Sequence, residues 1–179
     1  MKQARTAIVL FLRWLPVLAV CMLGQVHAQT DASVQQLLVE RRFSEALSQI
    51  EARLTQQPGN PQLRFLKGVA ENQLGRTDAA LATFTQLTRD YPELPEPYNN
   101  LAVLHASQGR YAEARAALEL AIQANPDYAT AHENLGDIYI RLGEQAYARA
   151  QSVNSDSPVL TRKLTLTREL ITRTLNPAP

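Results

Sequence analysis

Three prolines, Pro58, Pro92 and Pro126, stand 34 residues apart. Three glycines, Gly75, Gly109 and Gly143, keep the same spacing, and so do four alanines, Ala46, Ala80, Ala114 and Ala148. Leu101 and Leu135 match, as do the small residues Gly68, Ala102 and Gly136. A chain that repeats itself at this interval builds one supersecondary unit several times over, and this period is that of a helix–turn–helix. Four units begin near His27, Pro61, Pro95 and Ala129.

The physics of one unit can be read between Tyr98 and Tyr128. Ala102 is small where the first helix passes close to the second. Gly109 ends the first helix, where a left-handed cap favours glycine. Tyr111 starts the second helix and packs back on the pair. Ala114 and Ala121 line one face of that helix, with Leu118 filling the space between them, so that two helices interdigitate at fixed places. Pro126 stops it, because proline lacks the N–H and clashes with the preceding turn. These are packing residues, not reactive ones.

The pattern resembles the tetratricopeptide repeat family. The resemblance is carried by "PYNNLAVLHASQGRYAEARAALELAIQANP", with Tyr98, Leu101, Ala102, Gly109, Tyr111, Ala114, Leu118, Ala121 and Pro126 on the motif positions. "LRFLKGVAENQLGRTDAALATFTQLTRDYP" matches through Gly68, Leu74, Gly75, Ala80, Phe84 and Pro92, and departs at Lys67, where the motif takes an apolar residue. "ERRFSEALSQIEARLTQQP" matches a second helix through Phe43, Ala46, Leu47, Ile50, Leu54 and Pro58; the first helix of that unit is weak and has Arg41 in place of the turn glycine. "AHENLGDIYIRLG" matches a first helix through His132, Leu135, Gly136 and Tyr139. The fourth unit then departs: Ala146 to Ala150 fall about three residues early for a second helix, which leaves either a shortened turn or a first helix that continues through Gly143. Asp156 or Ser157 caps a last helix with Pro158 in its first turn. Leu160, Leu164, Ile171 and Leu175 form its apolar stripe, and Arg162, Lys163, Arg168 and Arg173 its other faces. The resemblance implies an all-α, right-handed α-solenoid of antiparallel helix pairs, about 3.5–4 units over 29–157, closed by a capping helix over 158–176.

The first 28 residues differ in kind. Lys2 and Arg5 precede an apolar run from Ala7 to Leu23 broken by Arg13, and Val26-His27-Ala28 offers a peptidase site. This is the pattern of a secretory signal peptide, giving a mature chain from Gln29 and a periplasmic or otherwise exported protein. The alternative is an uncleaved inner-membrane anchor, since residues 7–26 reach about the length that spans a bilayer; Arg13 opposes it. A lipidated Cys21 fits poorly because Val20 precedes it. The leader holds three Lys/Arg and no Asp/Glu, which leaves the mature chain 15 basic and 17 acidic residues, net −2, and no cysteine. No disulfide framework holds such a fold, and no basic excess points to nucleic acid.

Catalysis finds no constellation in this sequence. His105 and His132 are far apart and fall at first-helix positions that normally pack. No Gly-x-Ser-x-Gly elbow surrounds Ser107, Ser152, Ser155 or Ser157, and carboxylates occur singly, as on solvated faces. The expectation is therefore no enzyme, no cofactor and no metal. Arg41-Arg42 reads as a solvated helix end.

What remains is a surface. In the resembled family the first helices line a concave groove that binds peptides or partner helices. Those positions here are Gln62, Phe65, Val69, Asn72 and Gln73 in the second unit, Glu96, Asn99, Val103, Ala106 and Ser107 in the third, and Thr130, Glu133, Asp137, Ile140 and Arg141 in the fourth. Phe65, Val69, Val103 and Ile140 would make an apolar strip, with an acidic end at Glu133 and Asp137. A clamp for a terminal carboxylate is disfavoured, because the corresponding places lack inward Lys and Arg. The reading is a non-enzymatic scaffold in a cell envelope that binds a protein or peptide partner. The alternative is a self-associating or membrane-tethered assembly module that uses its repeat ends, tethered through residues 7–26 if the leader stays; the oligomeric state is open. Few units bury little core, so stability that depends on the partner is expected.

Overall fold

The computed structural model describes residues 33–175, with side chains to Arg173. The expected leader over 1–28 with cleavage at Ala28, the alternative anchor over 7–26 and the Leu175 side chain lie outside the described residues. Every regular element among those described is helical: α1 (33–39), α2 (Phe43–Leu54), α3 (Pro61–Gln73), α4 (Thr77–Asp90), α5 (Pro95–Ser107), α6 (Tyr111–Ala124), α7 (Ala129–Val153) and α8 (Pro158–Leu170), the last running into a π-helical turn, Ile171–Leu175. They fall into two compact units that divide between Pro58 and Gly59.

In the first unit α1 and α2 bury Val34, Leu37, Ala46, Leu47 and Ile50. The turn between them is made without glycine. Arg41 takes φ +59°, the left-handed region, and Arg42 N–H reaches back to the Leu37 carbonyl at 2.8 Å. Gly75 and Gly109 make the same turn at φ +71° and +73°. There Arg76 and Arg110 N–H bond the Glu71 and His105 carbonyls, both at 2.9 Å. This pair of a left-handed residue and a six-to-one bond is a Schellman cap, used three times at the repeat interval.

In the second unit each helix packs on its neighbours in sequence, α3 on α4 and so on to α7 on α8, which is the nearest-neighbour construction of an α-solenoid. Helix starts are set locally. Asn60 caps α3, its Oδ1 accepting from Leu63 N–H at 3.0 Å, with Pro61 at the first position. Ser157 caps α8, its Oγ accepting from Leu160 N–H at 3.3 Å, with Pro158 next. The core holds Phe84, Leu87, Leu101, Leu104, Leu118 and Ile138 among the buried alanines Ala80, Ala102, Ala114, Ala121 and Ala131. Phe65 adds its ring to Phe84 at 5.7 Å between centroids. Fully burying each large side chain contributes about 1.5–3 kcal/mol. The polar residue at Lys67 is accommodated by Glu71 one turn on. That carboxylate is buried, accepts a hydrogen bond from Thr83 Oγ1 at 2.7 Å and lies 3.6 Å from Lys67 Nζ.

The fourth unit has no separate second helix. α7 runs unbroken through Gly143 for 25 residues, so the chain continues where Gly75 and Gly109 turn. The residues after Gly143 are helix formers, and their apolar positions come too early to face back onto the first half of α7. α8 packs instead on its second half. Leu164 and Ile171 are buried, Arg168 pairs with Glu144 at 2.9 Å, and Lys163 Nζ stands 5.5 Å from the Tyr147 ring centre.

Candidate functional site

A pocket of about 420 Å³ opens between α5, α6 and α7. Its apolar wall is Ala102, Val103 and Ala106 from α5, Tyr111 and Leu118 from α6, and Ile138 from α7; Asn134, Asp137 and Arg141 add polar groups from α7. Val103 is half exposed at 46% although it is a large aliphatic on a helix otherwise well packed. A second pocket of about 390 Å³ lies between α3 and α5, where Gln62, Phe65 and Glu96 meet Pro61, Leu94 and Pro97.

The groove positions of the sequence reading are thus divided. Val103, Ala106, Asp137 and Arg141 share the first pocket, and Gln62, Phe65 and Glu96 the second. The expected apolar strip is not continuous: Val69 packs on the core and Ile140 lines neither pocket. Asn99 is largely buried, and its Oδ1 accepts from Asn134 Nδ2 at 2.7 Å, so its amide carbonyl joins α5 to α7. Asn72 is half buried; Gln73, Ser107, Thr130 and Glu133 lie outside both pockets. Tyr111 and Leu118 escaped the sequence reading because they belong to a second helix and were assigned to packing alone. Asn134 is 35 residues after Asn99, one off the repeat, so the period does not pair them.

The α7 wall carries one carboxylate and one guanidinium, Asp137 and Arg141. Burial, then the neighbouring Glu133, push the Asp137 carboxyl above its ordinary range, against the smaller opposing pull of Arg141. Burial, then Arg110, hold the His105 imidazole below its ordinary range. Among the described residues His105 Nδ1 and Arg110 Nε find no hydrogen-bond partner, and both atoms are buried. His132 is partnered by the backbone of the preceding turn, its Nε2 donating to the Pro126 carbonyl at 2.8 Å. The Ser107 and Ser152 hydroxyls are spent on the carbonyls of Leu104 and Arg149, at 2.8 and 2.7 Å. The first pocket therefore joins apolar contact area to a carboxylate, a guanidinium and an amide, the elements of a surface that grips a side chain.

Models of a tetratricopeptide repeat match residues 33–95 and 104–143, together more than half of the chain. A TPR repeat-containing thioredoxin, TTL4, of Arabidopsis thaliana is 37% identical over 75 residues, which is 42% of this chain and 11% of that protein; the chain thus spans about a tenth of its relative's length. A thermophilic TPR protein of Thermus thermophilus, TTC0263, superposes with a TM-score of 0.60 at 22% identity, over 82% of this chain and 83% of the other. The Yersinia enterocolitica type III secretion chaperone SycD, in complex with a peptide of the translocator YopD, superposes with a TM-score of 0.59 at 14% identity, over 65% of this chain and 95% of the other.

Proposed function

The chain belongs to the tetratricopeptide repeat family, and on that premise we propose that it is a non-catalytic adaptor that holds a segment of a partner protein in the pocket between α5, α6 and α7. The observation that carries this reading is Val103: a large aliphatic kept half in solvent beside Ala106 and Ile138, with Asp137 and Arg141 opposite. Exposed apolar area rimmed by polar groups is where proteins meet partners. The SycD complex, with a peptide bound to a similar fold, supports a peptide or helix as the occupant. The adaptor works in a cell envelope; the support is the sequence of residues 1–28, with Lys2 and Arg5 ahead of an apolar run and Val26-His27-Ala28 after it.

In-cell photocrosslinking of the full chain tests this. A benzophenone side chain at Val103 should give one discrete crosslinked partner. The same group at Glu119, exposed on α6 and away from the pocket, should not. Adding Asp137→Lys should abolish the Val103 adduct while thermal unfolding stays cooperative. Equal adducts from both positions, or none, would sink the groove reading.

A further inference from the structure

We infer that the outward face of α8 is a docking surface for an anionic lipid bilayer, separate from the groove. α8 carries two apolar stripes. Leu160, Leu164 and Ile171 turn inward, the last two buried. Val159, Leu166 and Leu170 form the second, and they stand 62%, 55% and 43% exposed. Their spacing, seven and then four residues, sets them on one helix face along about 16 Å. A helix whose only task was to close the stack would be polar there.

The charged residues beside the stripe are basic except Glu169, which shares the flank of Arg162. Arg162 and Arg173 lie on one flank by helical position and Lys163 on the other. Arg162 and Arg173 make no ion pair among the described residues, whereas Arg168, elsewhere on the helix, is held by Glu144. From Pro158 to the end the chain has four basic residues against Glu169 alone, net +3, while residues 29–157 have eleven basic and sixteen acidic, net −5. Cations are thus concentrated around one exposed aliphatic line on a chain that is otherwise acidic. That charge disfavours pairing of α8 with a second α8. It complements a surface of phosphate headgroups, into whose acyl boundary three aliphatic side chains can dip while guanidinium groups stay at headgroup level. No described helix is long and apolar enough to cross a membrane, so the contact is one of lying on the surface.

The test places an environment-sensitive nitrobenzoxadiazole probe at Leu166→Cys in a Cys21→Ser background of the full chain, Cys21 being the one cysteine. Vesicles of phosphatidylcholine alone are compared with vesicles containing about a third phosphatidylglycerol. The expected result is a blue shift on the anionic vesicles, with partitioning about tenfold or more above that on phosphatidylcholine. Arg162→Gln with Arg173→Gln should weaken it roughly fivefold per charge, and salt near about 1 M should release it. Circular dichroism checks that each variant is folded. An unmoved probe overturns the proposal even if the protein attaches through its apolar leader, because the probe reports α8 itself. Equal partitioning to both vesicles overturns it. A blue shift without vesicles that grows with protein concentration also overturns it and assigns the stripe to a second copy of the chain.

Discussion

Gly68 of α3 lies against the ring of Phe84 of α4: a Cβ placed on it would stand 2.7 Å from Phe84 Cε1 and Cζ. Phe84 is fully buried and cannot retreat without displacing its neighbours. At the equivalent position of the fourth unit, a Cβ on Gly136 would meet nothing within 4 Å, because α7 continues and no second helix folds over it. One substitution therefore has opposite signs at two places in the repeat. Gly68→Ala should destabilise by about 1–3 kcal/mol through overpacking. Gly136→Ala should stabilise by about 0.5–1 kcal/mol, the gain of replacing glycine inside a helix. Chemical denaturation of the two variants checks both. Equal effects would mean that a helix does cover Gly136 in solution.

Arg41 offers a second contrast. It adopts φ +59° where the later repeats use Gly75 and Gly109, and a side chain in that region costs roughly 1 kcal/mol. Its neighbour Arg42 is ion-paired with Glu40 at 3.1 Å and Glu45 at 2.5 Å, but those exposed pairs survive a change at position 41. Arg41→Gly should raise stability by several tenths to about 1 kcal/mol, read from the denaturation midpoint. A loss would show that the arginine side chain itself holds the turn.

These contrasts also show what was legible in the sequence. The 34-residue period located Gly75, Gly109 and the helix starts at Pro61 and Pro95, because each is a local backbone requirement that residue type alone satisfies. It could not decide the fate of Gly143. A turn there also needs a following helix with its apolar face in register, and that is a property of packing between distant segments. The site shows the same limit. First-helix positions identified Val103 and Asp137 one residue at a time, while the pocket that unites them takes Leu118 and Tyr111 from the second helix. Asn99 sits at a groove position of the repeat, yet its partner Asn134 falls one residue off the period and takes its carbonyl out of solvent.

That amide pair makes a third prediction. Asn99 is buried, and its Oδ1 is joined to Asn134 Nδ2 at 2.7 Å. Asn134→Ala strands a buried acceptor, which costs about 1–3 kcal/mol. Asn99→Ala with Asn134→Ala removes both polar groups and should cost less than the sum of the two single changes, so a double-mutant cycle should return a favourable coupling. Strict additivity would mean that the two side chains do not depend on each other.

Asp137 gives the pH dependence. Its carboxyl is raised in the folded chain by burial and by Glu133, so the folded state holds the proton more tightly than the unfolded state does. The sign follows from linkage. The contribution to stability is fully present below the ordinary carboxylate value, is lost as pH rises through the folded value, and leaves the charged group unfavourable at neutral pH. Asp137→Asn should therefore raise the melting temperature at pH 7, and the difference from the native chain should shrink as pH falls through the ordinary carboxylate range and the native carboxyl takes up its proton. Thermal melts of both proteins across that range decide it. A stabilisation that persisted unchanged at low pH would trace the gain to packing, and a destabilisation at pH 7 would show that Arg141, opposite in sign, outweighs the burial.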